Sequence, residues 1–212
     1  MPVMITLNKV YSVLKPKSCV KVHKAHEHLG LDRPFPLSSI LDSNGLDDAI
    51  LCFAALPVYI EIPKRFALWC AREVQHLMTD ERSVNALDVA ERYLDGNATL
   101  KELSAAIDDA DAAVACSRGA DYACATAYAA TITAVYGGEL DVAERYLDGD
   151  VTVGKLMTAI DDTYAVDTAA NARTAVDYAH AASYTCNRIH AGNRAAAARQ
   201  KQIVKFMEML RK

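Results

Sequence analysis

The sequence predicts an all-α protein, a helical bundle with an internally duplicated unit of short helix, tight turn and long Ala-rich helix. Three observations predict it. The decapeptide LDVAERYLDG at Leu87–Gly96 returns letter for letter at Leu140–Gly149, which marks a repeated supersecondary unit. All six prolines lie at or before Pro63, so nothing beyond it interrupts a helix by ring clash or a missing N–H. The stretch after each copy is rich in alanine, the residue with the highest helix propensity.

The repeat runs past its glycine. Thr99 corresponds to Thr152, Leu103 to Leu156 and Ala106–Asp109 to Ala159–Asp162. Asp121–Ala125 and Tyr128 correspond to Asp177–Ala181 and Tyr184 after a three-residue insertion. That is a little under one helical turn of about 3.6 residues, so the face is roughly kept.

The elements follow in order. Residues 4–14 and 18–29 read as short helices, and Pro34 and Pro36 punctuate an extended stretch. Leu37–Leu41 reads as one helical turn and Ser43-Asn44-Gly45 as a turn. Leu46–Leu56 is an apolar helix with Asp47 and Asp48 at its positive end. Val58–Ile62 alternates like a strand but lacks a partner, so an extended loop is expected. Pro63 suits a first helical position, before the stripe Phe66, Trp69, Cys70, Val74 and Leu77. Asp80 is the expected N-cap of the helix that enters the repeat.

Within the repeat, Leu87, Ala90 and Leu94 share a helical face. Gly96 stands where a helix C-terminus favours a left-handed residue. Thr99 to Glu102 reads as a capping box; the second copy has Lys155 in place of the acid and Gly154 beside it, a weaker start. Long, closely packed helices are expected over 99–136, with a bend at Gly119, and over 152–191. The final helix, Arg194–Lys212, carries the stripe Ile203, Phe206, Met207 and Leu210, with Arg199, Lys201, Lys205, Arg211 and Lys212 in water. A soft boundary near Asp80 separates an N-terminal helical region with Pro-rich breaks (1–80) from the duplicated region (81–212), the two packed as one globular unit.

Composition narrows the function classes. A chain of 212 residues buries on the order of 70% of its unfolded surface and needs no disulfide or metal staple. The net charge of −4, with mixed signs, argues against a nucleic-acid or lipid-surface binder, which needs a basic field. No signal-peptide pattern opens the chain. The longest uncharged run, Tyr122–Gly138, is mainly Ala, Thr and Tyr and suits a buried helix better than a membrane span. The six cysteines form no C-x-x-C pair, which fits free thiols in a reducing cytoplasm.

Few constellations carry chemistry. Cys19, His23, His26 and His28 form the densest polar cluster and are the candidate metal ligands; a zinc site would need four of them converging. Glu73 and His76 form a lone E-x-x-H, whereas di-iron bundles need two. Asp108-Asp109 recurs as Asp161-Asp162, but helical neighbours point about 100° apart and do not converge. Asp88, Glu91 and Arg92, repeated as Asp141, Glu144 and Arg145, are expected to tie the unit to its neighbours by salt bridges. Tyr93, Tyr146, Tyr122 and Tyr178 lie at repeat-related positions and suit packing first and partner contact second. No Walker A, G-x-G-x-x-G, G-x-S-x-G or H-E-x-x-H pattern is present. No catalytic residue and no cofactor are therefore expected, and the chain reads as a non-enzyme.

The strings NGLDDAILCFAAL and RFALWCAREVQHLMTDERSVNALDVAERYLDGNATLKELSAAIDDADAA, with the Ala-rich continuation, resemble a family of phage- and prophage-encoded proteins. These are the immunity proteins of the immunity-family-five-like group. The resemblance rests on C-A-R-x-V around Cys70 and on the turn from Ala90 to Thr99, and covers about residues 44–210. A second full A-E-R-Y-L-D-G unit is a departure from the family. The resemblance implies an all-α cytoplasmic protein that binds and neutralises a bacterial toxin or defence effector. The alternatives are a metal-dependent enzyme or metal-stabilised protein built on the N-terminal histidines, and a homo-oligomeric structural protein pairing its Ala/Tyr helices.

Overall fold

Helices make up most of the described structure, and their ends follow local chemistry. The computed structural model describes residues 2–116, 122–135, 169–170, 172–179, 181 and 191–211. The second decapeptide at Leu140–Gly149, Tyr146, Thr152, Lys155 and Gly119 lie outside these residues. The protein is all-α; among the described residues one pair of two-residue strands is the only sheet. Two units are present, one whose described residues lie mainly in Met1–Pro63, the other in Lys64–Val135 and Asn171–Phe206.

In the first unit β1 (Met4–Ile5) pairs antiparallel with β2 (Phe35–Pro36), Ile5 opposite Phe35. Between them lie α1 (Leu7–Val13), capped by the Thr6 hydroxyl accepting the Lys9 N–H at 3.4 Å, and α2 (Pro16–His26), with proline at its start. Residues 4–14 are thus not one helix. Met4 and Ile5 are held extended by a strand more than 25 residues away in sequence, which no local periodicity could show. A 3₁₀ turn, Glu27–Leu29, closes α2 at Gly30.

The expected turn at Leu37–Leu41 lengthens into α3 (Ser38–Asn44), which ends at Gly45 with φ +96°. Gly45 also leads into α4 (Leu46–Leu51), with Asp47 and Asp48 in its first turn. The α-helix stops short of Leu56: Cys52–Ala55 tightens to 3₁₀, because Pro57 drives its predecessor out of the helical region. Val58–Ile62 is not extended loop. Pro57–Tyr59 is another 3₁₀ turn, and α5 (Glu61–Val74) begins before Pro63. Proline is tolerated there because first-turn N–H groups have no intrahelical partner. Ile5, Leu7, Val10, Val22, Ile50 and Phe53 form the core of this unit, all at 1% exposure or less.

The second unit takes most of α5, from Lys64 on. Phe66, Ala67, Cys70, Ala71 and Val74 of α5 are all buried. Then come α6 (Glu81–Leu94), α7 (Leu100–Cys116) and α8 (Tyr122–Val135), which pack pairwise against one another. Asp80 caps α6 by accepting the Arg82 N–H at 2.9 Å. Gly96 has φ +76° at the end of α6. At the start of α7 the capping box is reciprocal: the Thr99 hydroxyl accepts the Glu102 N–H at 3.2 Å, and the Glu102 carboxylate accepts the Thr99 N–H at 2.8 Å.

One long helix over 99–136 is corrected by the packing of α7 beside α8, which makes them two helices. α8 is buried nearly all round through alanines, with Thr131 and Thr133 donating to the Ala127 and Ala129 carbonyls at 2.7 and 2.6 Å. These back-bonds let hydroxyls enter the core without losing a partner. No helix among the described residues is long and apolar enough to cross a membrane. Of the helix expected over 152–191, residues 169–170 and 172–179 are described and helical. The last helix is α9 (Ala191–Met209).

Candidate functional site

The N-terminal candidates do not converge. The Cys19 thiol donates to the Leu14 carbonyl at 3.3 Å. Burial pushes that thiol up, Asp48 adds to it, and a backbone hydrogen bond opposes both. His23 is exposed, with Nδ1 2.5 Å from the Tyr11 hydroxyl. His26 points the other way: it is buried, stacked on Phe35 at 4.2 Å between centroids, with Nδ1 3.0 Å from the Val22 carbonyl. His28 is exposed in the turn after α2. The alternation arises because His23 and His26 sit on opposite sides of the burial boundary of α2. No group of three or more potential ligands gathers among the described residues.

The tyrosines are divided as well. Tyr93 is half-buried on α6, Tyr178 is half-buried within 172–179, and Tyr122 opens α8. The salt bridges expected of the first repeat are present. The Arg72 guanidinium of α5 reaches Asp88 at 2.8 Å and Glu91 at 2.6 Å on α6, and Arg92 reaches Glu102 at 3.5 Å. These contacts use the conspicuous charges of the repeat for structure.

A concave feature of the second unit lies elsewhere, where α5 meets α9. Trp69, Cys70, Glu73 and Val74 line it from α5, with Ala198, Lys201 and Gln202 from α9 and Ala179 beside them. Its volume is about 60 Å³. Helical spacing explains the lining: Trp69 and Glu73 are four apart on α5, and Ala198, Lys201 and Gln202 fall at i, i+3 and i+4 on α9.

Trp69 is the only tryptophan of the chain and is half-buried. Its ring stacks on Phe66 at 6.0 Å with planes 13° apart, and Phe66 meets Phe206 of α9 at 5.0 Å. Over the indole stand two ammonium groups, Lys201 Nζ at 5.9 Å and Lys205 Nζ at 5.8 Å from its centroid. Both are within cation–π range. Lys201 also pairs with Glu73.

Cys70 is fully buried behind this wall, and burial pushes its thiol up. Such a thiol stays protonated and unreactive. The Gln202 amide donates to the Val176 carbonyl at 3.2 Å, and its buried Oε1 has no partner among the described residues. Arg199, expected in water, is partly buried and paired with Asp177 at 3.1 Å. The arrangement offers a stacked aromatic plate with cations above it, and no nucleophile–base pair stands there among the described residues.

Trp69 was legible only as one residue of an apolar stripe, and Lys201 and Lys205 only as solvated charges. Nothing in the sequence links them, because their meeting depends on how α9 docks on α5. No family model, curated protein or solved structure matches the chain.

Proposed function

We propose that the protein is a non-enzymatic, phage-associated binding protein that neutralises a bacterial toxin or defence protein by direct contact in the bacterial cytoplasm. The observation that carries this reading is Trp69, half-buried, stacked on a buried aromatic pair and flanked by Lys201 and Lys205. Tryptophan beside cations, immobilised before contact, is the kind of anchor that concentrates binding energy at protein interfaces. The resemblance of residues 44–210 to phage immunity proteins supports the class of target. The absence of known catalytic motifs from the sequence supports binding over catalysis.

The test is affinity capture from bacterial lysate with the full chain and with Trp69→Ala, each shown to be folded by circular dichroism. The wild type should retain one stoichiometric protein that the variant loses. Repeated failure across hosts, or equal retention by the variant, overturns the reading.

A further inference from the structure

Helix α2, PKSCVKVHKAH, contains no Asp or Glu. Its Lys17, Lys21 and Lys24 follow at i, i+4 and i+7 and fall on one face. All three are exposed, and none makes an ion pair among the described residues. The opposite face, with Val22 and His26, is buried. Lys15 precedes the helix and is exposed too; Glu27 directly follows it in sequence, and Asp48 of α4 lies near Cys19. Between the lysines stands Val20, an apolar side chain 64% exposed. In a chain of net charge −4 this stripe is a local reversal of sign.

We propose that the Lys17–Val20–Lys21–Lys24 face of α2 docks an acidic protein segment, one that presents carboxylates about an apolar side chain. Charge complementarity names the carboxylates: three unpaired ammonium groups along about 10 Å of helix form a local field that attracts an anionic partner. Val20 decides among anions. Against a phosphate backbone an isopropyl group gains nothing, and α2 offers no arginine forks, while its exposed ring, His23, is held by the Tyr11 hydroxyl. Against a lipid surface α2 would need its apolar face, which is already turned into the unit. An acidic segment carrying one apolar residue covers Val20 and meets all three lysines.

The stripe shares no residue with the Trp69 site, so each proposal can fail alone. The probe is a fluorescent peptide of six glutamates interrupted by one leucine, titrated with the full chain and followed by anisotropy. Saturable binding is expected at about 0.01 M salt, where the Debye length is about 30 Å, and its loss at about 1 M, where it is about 3 Å. The exposed triple substitution K17Q/K21Q/K24Q should weaken binding about tenfold or more. Val20→Ser should weaken the leucine-containing peptide and leave an all-glutamate peptide unchanged. Trp69→Ala should bind the peptide as the wild type does. Unchanged binding by the triple variant overturns the proposal. So does tighter binding to a DNA duplex or to phosphatidylserine vesicles, or a self-association that the triple variant abolishes.

Discussion

Phe66 on α5 and Phe206 on α9 meet with ring centroids 5.0 Å apart and planes tilted by 57°. Both are fully buried. Offset or tilted rings align the positive edge of one with the negative face of the other, an attraction beyond the burial itself. The contact joins two distant stretches of chain and sets the plate on which Trp69 lies.

Phe206→Ala should therefore destabilise the protein strongly, by about 3–5 kcal/mol, the transfer loss plus the cavity left behind. Urea unfolding followed by the fluorescence of Trp69 reads both stability and local order. A loss under about 1 kcal/mol would show that this pair does not hold α9 on α5.

Arg72 spans α5 and α6 with one guanidinium to two carboxylates, and its Nη1 also donates to the Gln75 side-chain carbonyl at 2.8 Å. The arginine is mostly covered, whereas Asp88 and Glu91 are 58% and 54% exposed, so solvent screens the pairs. Arg72→Ala should cost about 1 kcal/mol at low salt and less at high salt. Thermal melts at two salt concentrations check this. An equal loss at both would mean that the lost packing of the arginine stem, not its charge, is responsible.

What was legible in the sequence was local. Asp80, Gly96 and the Thr99–Glu102 box are each defined within a few residues of chain, and each is where short-range chemistry puts it. The Phe206 and Leu210 positions of the last stripe are likewise buried. What was hidden was non-local. The β1–β2 pair depends on a distant partner, and only the packing of α7 against α8 tells two helices from one bent helix. The direction of each histidine was hidden too, because proximity in sequence does not set it: α2 buries His26 and exposes His23. The Trp69 plate was hidden for the converse reason, since its cations arrive from another helix.

Gly96 ends α6 at φ +76°, where a Cβ would meet nothing within 4 Å. Space is therefore not the constraint; backbone conformation is. Gly96→Ala should cost about 1 kcal/mol from the left-handed conformation alone, and Gly96→Asn less, because asparagine tolerates that region. Chemical denaturation of the two variants checks the order. Equal stability of alanine and glycine would mean that the turn relaxes.

Glu102 accepts both the N–H and the hydroxyl of Thr99, each at 2.8 Å, with Arg92 nearby. These bonds to Thr99 hold its carboxyl below the usual 4.5, and the Arg92 charge lowers it further. The sign follows from that depression. The folded state favours the charged form, so the contribution is fully present above the ordinary carboxylate range and is lost as pH falls through the lowered value. Glu102→Gln keeps an acceptor for the box but cannot titrate. The wild type should therefore lose stability relative to the variant as pH falls below 4.5, and the difference between them should be flat above about pH 6. Melting temperatures of both proteins across that range measure it. A difference independent of pH would show that the carboxylate charge contributes nothing to the start of α7.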